Sequence, residues 1–155
     1  MGANRVRVGK DKADLVKALT LGNDTTGPFQ TYADAIAFAA ALGAKRKKRV
    51  ALQEVSKKEP GAIAQDIFIS RGYDRLIKLL AIAETKDIKI ISPNDVEAEE
   101  TRIAIFEEYA NGGLEILQEE LRGAVDYTER LLLIMISERD QPNQPEGEFN
   151  LSRFL

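Results

Sequence analysis

The most constraining feature of the sequence is an alanine-rich stretch that runs directly into five consecutive cations. Residues 29–49 read FQTYADAIAFAAALGAKRKKR. The alanines allow another helix to approach closely, and Ile36, Phe38 and Leu42 add bulk on nearly all sides, as in a largely buried helix. The cations must remain hydrated, because burying an unpaired charge costs much free energy. The stretch therefore predicts a buried helix whose C-terminal end lies at the surface.

Capping signals set the bounds of this helix. Thr31 is a favourable N-cap, because its hydroxyl can accept a hydrogen bond from a backbone amide of the first turn. Asp34 occupies the capping-box position, where Glu or Gln is more usual. Gly43 is typical of the residue that follows a helix C-terminus. The predicted helix spans residues 32–42.

Hydrophobic periodicity predicts further helices along the chain. Residues 73–84 form an amphipathic pattern. A long acidic helix is predicted to begin near Asp95, because its early carboxylates favour the positive end of the helix dipole. The glycine pair at 112–113 is expected to end that helix, since glycine has a low helix propensity. Two more helices are predicted over residues 114–121 and 125–139.

The N-terminal segment has a different pattern. Residues 5–8 read RVRV, an alternation typical of a short strand or an extended arm. With the helices that follow, it gives the element order of ribbon-helix-helix DNA-binding proteins, in which strands of two protomers form a ribbon in the major groove. Arg5 and Arg7 would lie on one face of such a ribbon, and arginine is the usual reader of guanine edges. The alternative is a basic arm that contacts nothing.

The length of 155 residues fits one domain. We predict the mainly α class: a single-domain helical bundle over residues 1–140 with a short β segment near the N-terminus, and a C-terminal tail over residues 141–155. The tail has few core residues, although its apolar side chains could dock on a groove or a second subunit. No apolar run approaches the roughly 20 residues that span a membrane. With no secretory signal pattern, the predicted location is the cytoplasm, without membrane contact.

The charge is distributed unevenly along the chain. Residues 1–49 carry ten Lys and Arg against four Asp and Glu, whereas residues 50–155 carry twelve against twenty-one. This asymmetry indicates a basic face for a polyanion on an acidic body. The predicted contacts to the DNA backbone are Arg5, Arg7, Lys10, Lys12, Lys45, Arg46, Lys47, Lys48 and Arg49. The alternatives are ordinary solvated charge and, for the five consecutive cations, complementation of the negative end of a helix dipole.

The residue types present argue against catalysis. The chain has no cysteine and no histidine, which excludes disulfides, thiolate nucleophiles, and the commonest general base and zinc ligand. The acidic residues 95–100 and 107–108 resemble a metal-binding pattern, but such helices need convergent carboxylates, commonly with a histidine partner, so a solvated face is favoured. We therefore predict a non-enzymatic protein with no catalytic residues, no metal site and no cofactor. The apolar residues 131–136 are expected in the core or, alternatively, at a dimer seam, which would make the protein a homo-oligomer.

Several segments together resemble a known family. These are RVRV followed by KDKADLVKAL within residues 5–19, GPFQTYADAIAFAAALG at 27–43 with the KRKKR that follows, and FEEYANGGLEIL at 106–117. They resemble the bacterial DNA phosphorothioation-associated protein 4 family, encoded beside Dnd systems. The resemblance implies a cytoplasmic accessory protein of a DNA modification and restriction system used in defence, with other proteins of that system as partners. It supplies no catalytic residues to transfer.

Two functions follow as hypotheses. The leading one is a non-enzymatic, DNA-associated accessory protein of the phosphorothioation-linked system, which contacts the DNA backbone through the predicted cations. Such binding should weaken steeply with salt. The alternative is a protein-interaction adaptor that docks on a larger nuclease or ATPase subunit of the same system without touching DNA.

Overall fold

A computed structural model of the chain describes residues 4–22 and 25–140. In this part of the chain it places two strands and six α-helices: β1 (Arg5–Val6), α1 (Ala13–Ala18), α2 (Tyr32–Lys45), β2 (Ile63–Ala64), α3 (Gln65–Ser70), α4 (Asp74–Thr85), α5 (Val96–Glu120) and α6 (Tyr127–Arg139). Two 3-10 turns precede α1 and α5, at Lys10–Lys12 and Ile88–Ile91. The prediction of a mainly helical chain with a short N-terminal β segment is confirmed. The predicted tail, residues 141–155, lies outside the described residues.

The core is built around α5, against which α2 packs along most of its length. Eight of the fourteen residues of α2 are buried, including Ile36 and five of its seven alanines, as predicted for this stretch. Phe106 of α5 contacts Phe68 of α3 edge to face, with ring centroids 5.4 Å apart. This contact adds to the apolar area that holds the two helices together.

The long helix α5 does not end at its glycines, so that prediction is wrong. It continues through Gly112 and Gly113 to Glu120 because both residues lie where other backbone segments cross it. A Cβ atom on Gly113 would lie 1.7 Å from the carbonyl oxygen of Ala39 in α2. A Cβ on Gly112 would lie 1.9 Å from the carbonyl oxygen of Lys48. The glycines permit this close approach, and tertiary packing outweighs their low helix propensity.

The start of α2 is as predicted, but its end is not. The hydroxyl of Thr31 accepts a hydrogen bond from the amide of Asp34, at 3.2 Å, and thus caps the helix. Gly43 lies inside α2 rather than after it, since α2 runs to Lys45. A Cβ on Gly43 would lie 2.2 Å from the carbonyl oxygen of Tyr109 in α5. Gly43 is therefore a packing residue of the helix crossing.

The N-terminal strand pairs within its own chain. β1 is antiparallel to β2, with Arg5 opposite Ala64, and a separate antiparallel bridge pairs Gly9 with Val55. The opposite edge of this segment faces α5, where the backbone N–H of Arg7 donates to the Glu107 carboxylate, at 2.7 Å. This arrangement differs from the predicted ribbon between two protomers, because β1 pairs with a strand of its own chain.

The last described helix, α6, begins two residues later than predicted. Asp126 caps it by accepting a hydrogen bond from the amide of Glu129. Leu131 and Ile134 are buried against the body, whereas four other large apolar side chains of this helix are exposed. Among the helices within residues 4–22 and 25–140, none combines the length and the apolarity needed to cross a membrane.

Candidate functional site

The five consecutive cations, residues 45–49, form the candidate site and are called the basic segment. They leave the end of α2 and meet acidic side chains of three other helices. Arg46 donates from Nη1 to Glu120 of α5, at 2.7 Å, and from Nε to Glu138 of α6. Lys45 donates to the backbone carbonyl of Glu138, at 2.8 Å. The Glu138 side chain is only 11% exposed, so the first part of the basic segment is tied to a largely buried carboxylate.

Arg49 joins α4 to α5 at the other end of the basic segment. Its Nη1 and Nε atoms donate to Glu84 and Glu108, each at 2.7 Å. The hydroxyl of Tyr109 also donates to Glu84. These bonds from Tyr109 and Arg49 lower the pKa of Glu84 below its ordinary value. Burial and the hydrogen bond to Glu84 raise the pKa of Tyr109 to about 12.

The middle of the basic segment is also held by the body of the protein. Lys47 takes a left-handed backbone conformation, with φ of 56°, which turns the chain after α2. The Nζ atom of Lys48 lies 3.1 Å from Oε1 of Glu115 in α5. The basic segment as a whole therefore faces five carboxylates within the same chain: Glu84, Glu108, Glu115, Glu120 and Glu138.

Arg7, one of the predicted readers of DNA bases, is engaged in the same way. Its guanidinium donates from Nη2 and Nε to the two oxygens of Glu107, at 2.7 and 3.0 Å. Glu107 is 4% exposed and also accepts the backbone N–H of Arg7. Residues 107–108 were expected on a solvated helix face, and that is wrong for Glu107, because the arginine compensates its burial. The structure thus brings Arg7 and Arg49 to neighbouring positions of α5.

The other predicted N-terminal cations differ in their accessibility. The Nζ atom of Lys12 lies 2.9 Å from Oδ2 of Asp11. Because the Lys12 side chain is only 3% exposed, a phosphate could not reach its ammonium group without a rearrangement. Lys10 is exposed and lies 3.3 Å from Glu54. Arg5 is exposed on β1. Contact between any of these residues and DNA stays a prediction.

A further charged cluster was missed at the sequence level. The carboxylate of Asp34, in the first turn of α2, accepts bonds from Nε and Nη2 of Arg71 at 2.8 and 2.7 Å, and from the hydroxyl of Tyr73 at 2.6 Å. Burial alone would raise the pKa of Asp34, but the hydrogen bonds from Arg71, Tyr73 and Thr31 lower it overall. Asp34 was assigned only to helix capping, and nothing local in the sequence indicates a partner 37 residues away.

The charged side chains described above form ion pairs rather than a metal-binding group. Within residues 4–22 and 25–140, no group of three or more acidic side chains could hold a metal ion. The charged groups are joined in pairs and triads between helices, in a geometry that fixes helix positions. In the part of the chain that the structure describes, the fold and this network define a mainly helical protein in which several ion pairs join neighbouring helices.

The comparison with protein families then identifies the particular family. The chain belongs to the family of DNA sulphur modification system-associated protein 4, whose model matches residues 5–154. The suspected resemblance is thereby confirmed, and so is an association with a DNA sulphur modification system. Searches of the curated proteins and of the solved structures gave no match.

Proposed function

We propose that the protein is a non-enzymatic adaptor of a DNA sulphur modification system, which acts by binding a larger protein subunit of that system. The observation that supports this proposal is the pairing of the basic segment. Arg46 and Arg49 each bond to two carboxylates of their own chain. The cations that first suggested DNA binding therefore have a structural role that needs no DNA.

The energetic cost of changing partners favours this interpretation. A DNA phosphate could bind Arg46 only by displacing Glu120 or Glu138 from the donors that they occupy. Glu138 would then stay in a largely buried position without its cation, next to an incoming group of the same charge. Because the Arg46 side chain is partly exposed, breaking this pair costs about 2–3 kcal/mol, which would be subtracted from any affinity gained at the phosphate.

The charge of the remaining surface points in the same direction. Residues 50–155 carry twenty-one Asp and Glu against twelve Lys and Arg. Several of these carboxylates neutralise the N-terminal cations, and the chain as a whole keeps a net charge of −3, which disfavours the approach of a polyanion. A protein partner, by contrast, can match such a surface with its own basic residues. A nuclease or ATPase subunit of the system is the class of partner that we propose.

Co-purification tests the proposal. The tagged chain is produced together with each larger subunit of the system, and the lysate is divided and treated with or without a nonspecific nuclease. We expect one subunit to remain bound after the nucleic acid has been digested. A complex that disappears on nuclease treatment would refute the proposal, because DNA would then be the bridge.

A mobility-shift series with the isolated chain provides the opposing test. The wild type is compared with a variant that carries Glu84→Gln and Glu108→Gln, which releases Arg49 from both of its partners. If Arg49 is a DNA contact, this variant should bind duplex DNA more tightly than the wild type, with a steep dependence on salt. Under our proposal neither protein retards DNA at physiological salt.

A further inference from the structure

Helix α6 presents an apolar face that nothing within the described residues covers. Residues 131–136 are all apolar, yet only Leu131 and Ile134 pack against the body. Four others are between 39% and 56% exposed: Leu132, Leu133, Met135 and Ile136. A helix that is apolar all round is normally buried on all sides. An exposed apolar patch of this kind is typical of an interaction surface.

The order of residues along this face is specific. Glu129, Leu132, Ile136 and Arg139 follow one another at spacings of three, four and three residues, which is the repeat of a coiled-coil seam. At 3.6 residues per turn they fall within about 80° of arc. The seam thus has an apolar centre, a carboxylate at its N-terminal end and a guanidinium at its C-terminal end. Leu133 and Met135 border it on its two sides.

This pattern is complementary to itself when one copy is reversed. In an antiparallel pair whose two-fold axis crosses the seam at the level of Ile134, Leu132 lies opposite Ile136 of the second copy. Glu129 then lies opposite Arg139 at both ends of the seam. A parallel pair would instead place each charge opposite its own kind. Self-complementarity about a two-fold axis is the defining property of a symmetric dimer interface.

The charges at the ends of the seam are available for this pairing. Arg139 contacts only the adjacent Asp140 among the described residues, at 3.2 Å, and both side chains are more than half exposed. Such an exposed pair contributes little and is easily exchanged for a better partner. We infer that α6 is the seam of an antiparallel homodimer, in which Leu132 and Ile136 form the apolar centre and Glu129 pairs with Arg139 of the second copy.

Sedimentation of the full-length chain over about 1–100 µM tests the inference, since an interface this short fits micromolar association. Wild type is expected to dimerise. Glu129→Arg places two cations opposite each other at both ends of the seam, and Arg139→Glu places two carboxylates there. Each single change should weaken self-association by about tenfold or more, given that two pairs turn from attractive to repulsive.

Combining the two changes supplies the decisive control. A chain with both Glu129→Arg and Arg139→Glu restores opposite charges across the seam and should dimerise like the wild type. Because all these positions are exposed, circular dichroism should report an unchanged helix content in every variant. Single variants that associate as strongly as wild type, or a double variant that fails to recover, would overturn the inference.

A monomeric wild type over the whole range would also overturn it. In that case the full-length chain with Phe149→Ser and Phe154→Ser would identify the alternative occupant. If those substitutions convert a monomer into a dimer, the C-terminal tail of the same chain covers α6, and the second copy is not its natural partner.

Discussion

Replacing Arg46 with alanine tests the structural role of the basic segment most directly. Glu138, 11% exposed, loses its guanidinium partner, and Glu120, 36% exposed, loses another. An exposed ion pair contributes about 0.2–1 kcal/mol, whereas breaking a fully buried one costs about 3–5 kcal/mol. The Arg46–Glu138 pair lies between these limits, because the Arg46 side chain is 29% exposed. We expect Arg46→Ala to lower the free energy of unfolding by about 2–3 kcal/mol.

Urea denaturation followed by circular dichroism measures this loss. The melting temperature should fall by about 4–10 °C for a chain of this size. Lys58→Ala is the matched control, because it removes one exposed cation and should change stability by no more than about 0.5 kcal/mol. Arg46→Lys keeps the charge but loses the planar fork that bonds to two carboxylates, so its effect should lie between the two.

A double-mutant cycle separates the ion pair from other effects of the truncation. In a chain that already carries Glu138→Ala, Arg46→Ala should cost about 2 kcal/mol less than in the wild type, because no buried carboxylate is left unpaired. The reasoning would be refuted if Arg46→Ala and Lys58→Ala lowered the free energy of unfolding equally little, and if Arg46→Ala alone abolished binding to DNA. Arg46 would then serve an external ligand.

Three further outcomes are expected. Gly113→Ala should destabilise the protein by about 2 kcal/mol in thermal melts, because the clash with the Ala39 carbonyl exceeds the gain in helix propensity of about 1 kcal/mol. The control Gly61→Ala should be nearly neutral, because its Cβ would make only an ordinary contact with the Lys58 carbonyl oxygen, at 3.8 Å. Tyr109 has a raised pKa, so its contribution to stability is complete below about pH 10 and is lost as the pH rises through about 12. Tyr109→Phe should therefore reduce the fall of the urea midpoint at alkaline pH. In an absorbance titration, this variant should lack the tyrosine that ionises at the highest pH. Asp34 has a lowered pKa, so its contribution to stability is present above roughly pH 4 and is lost on further acidification. Asp34→Asn should therefore be less stable than the wild type at pH 7, and this difference should shrink at pH 3. Equal differences at the two pH values would contradict the prediction.

Local signals predicted the helices well where the competing forces were also local. The Thr31 cap and the amphipathic pattern of residues 73–84 gave a correct N-terminus for α2 and nearly correct bounds for α4. The glycines were misread, because their low intrinsic propensity is visible in the sequence and the backbone that crosses them is not. Whether a glycine ends a helix or lies inside a crossing depends on which residues of another segment approach it, here Ala39 and Lys48.

The cations of the basic segment are visible in the sequence as a cluster, but the carboxylates that they contact could not be predicted. Arg49 and Glu84 are 35 residues apart, and Arg7 and Glu107 are 100 residues apart. A charge run is visible locally, while the position of a distant carboxylate depends on how the helices pack. The sequence alone therefore could not show that acidic side chains of the same chain lie within reach of the basic segment.

The uneven distribution of charge along the sequence is nevertheless related to the internal ion pairs of the basic segment and Arg7. An N-terminal third rich in Lys and Arg and a remainder rich in Asp and Glu were interpreted as a basic face for a polyanion on an acidic body. The same asymmetry is expected when two parts of one chain are complementary to each other. Arg7, Arg46 and Arg49 all pair with acids that follow residue 80. Opposite charge in two parts of one chain thus indicates an internal interface as readily as an external ligand, and the burial of the acidic partners bears on which of the two applies. Glu107 and Glu138 are the least exposed of these acids, and they favour the internal interface.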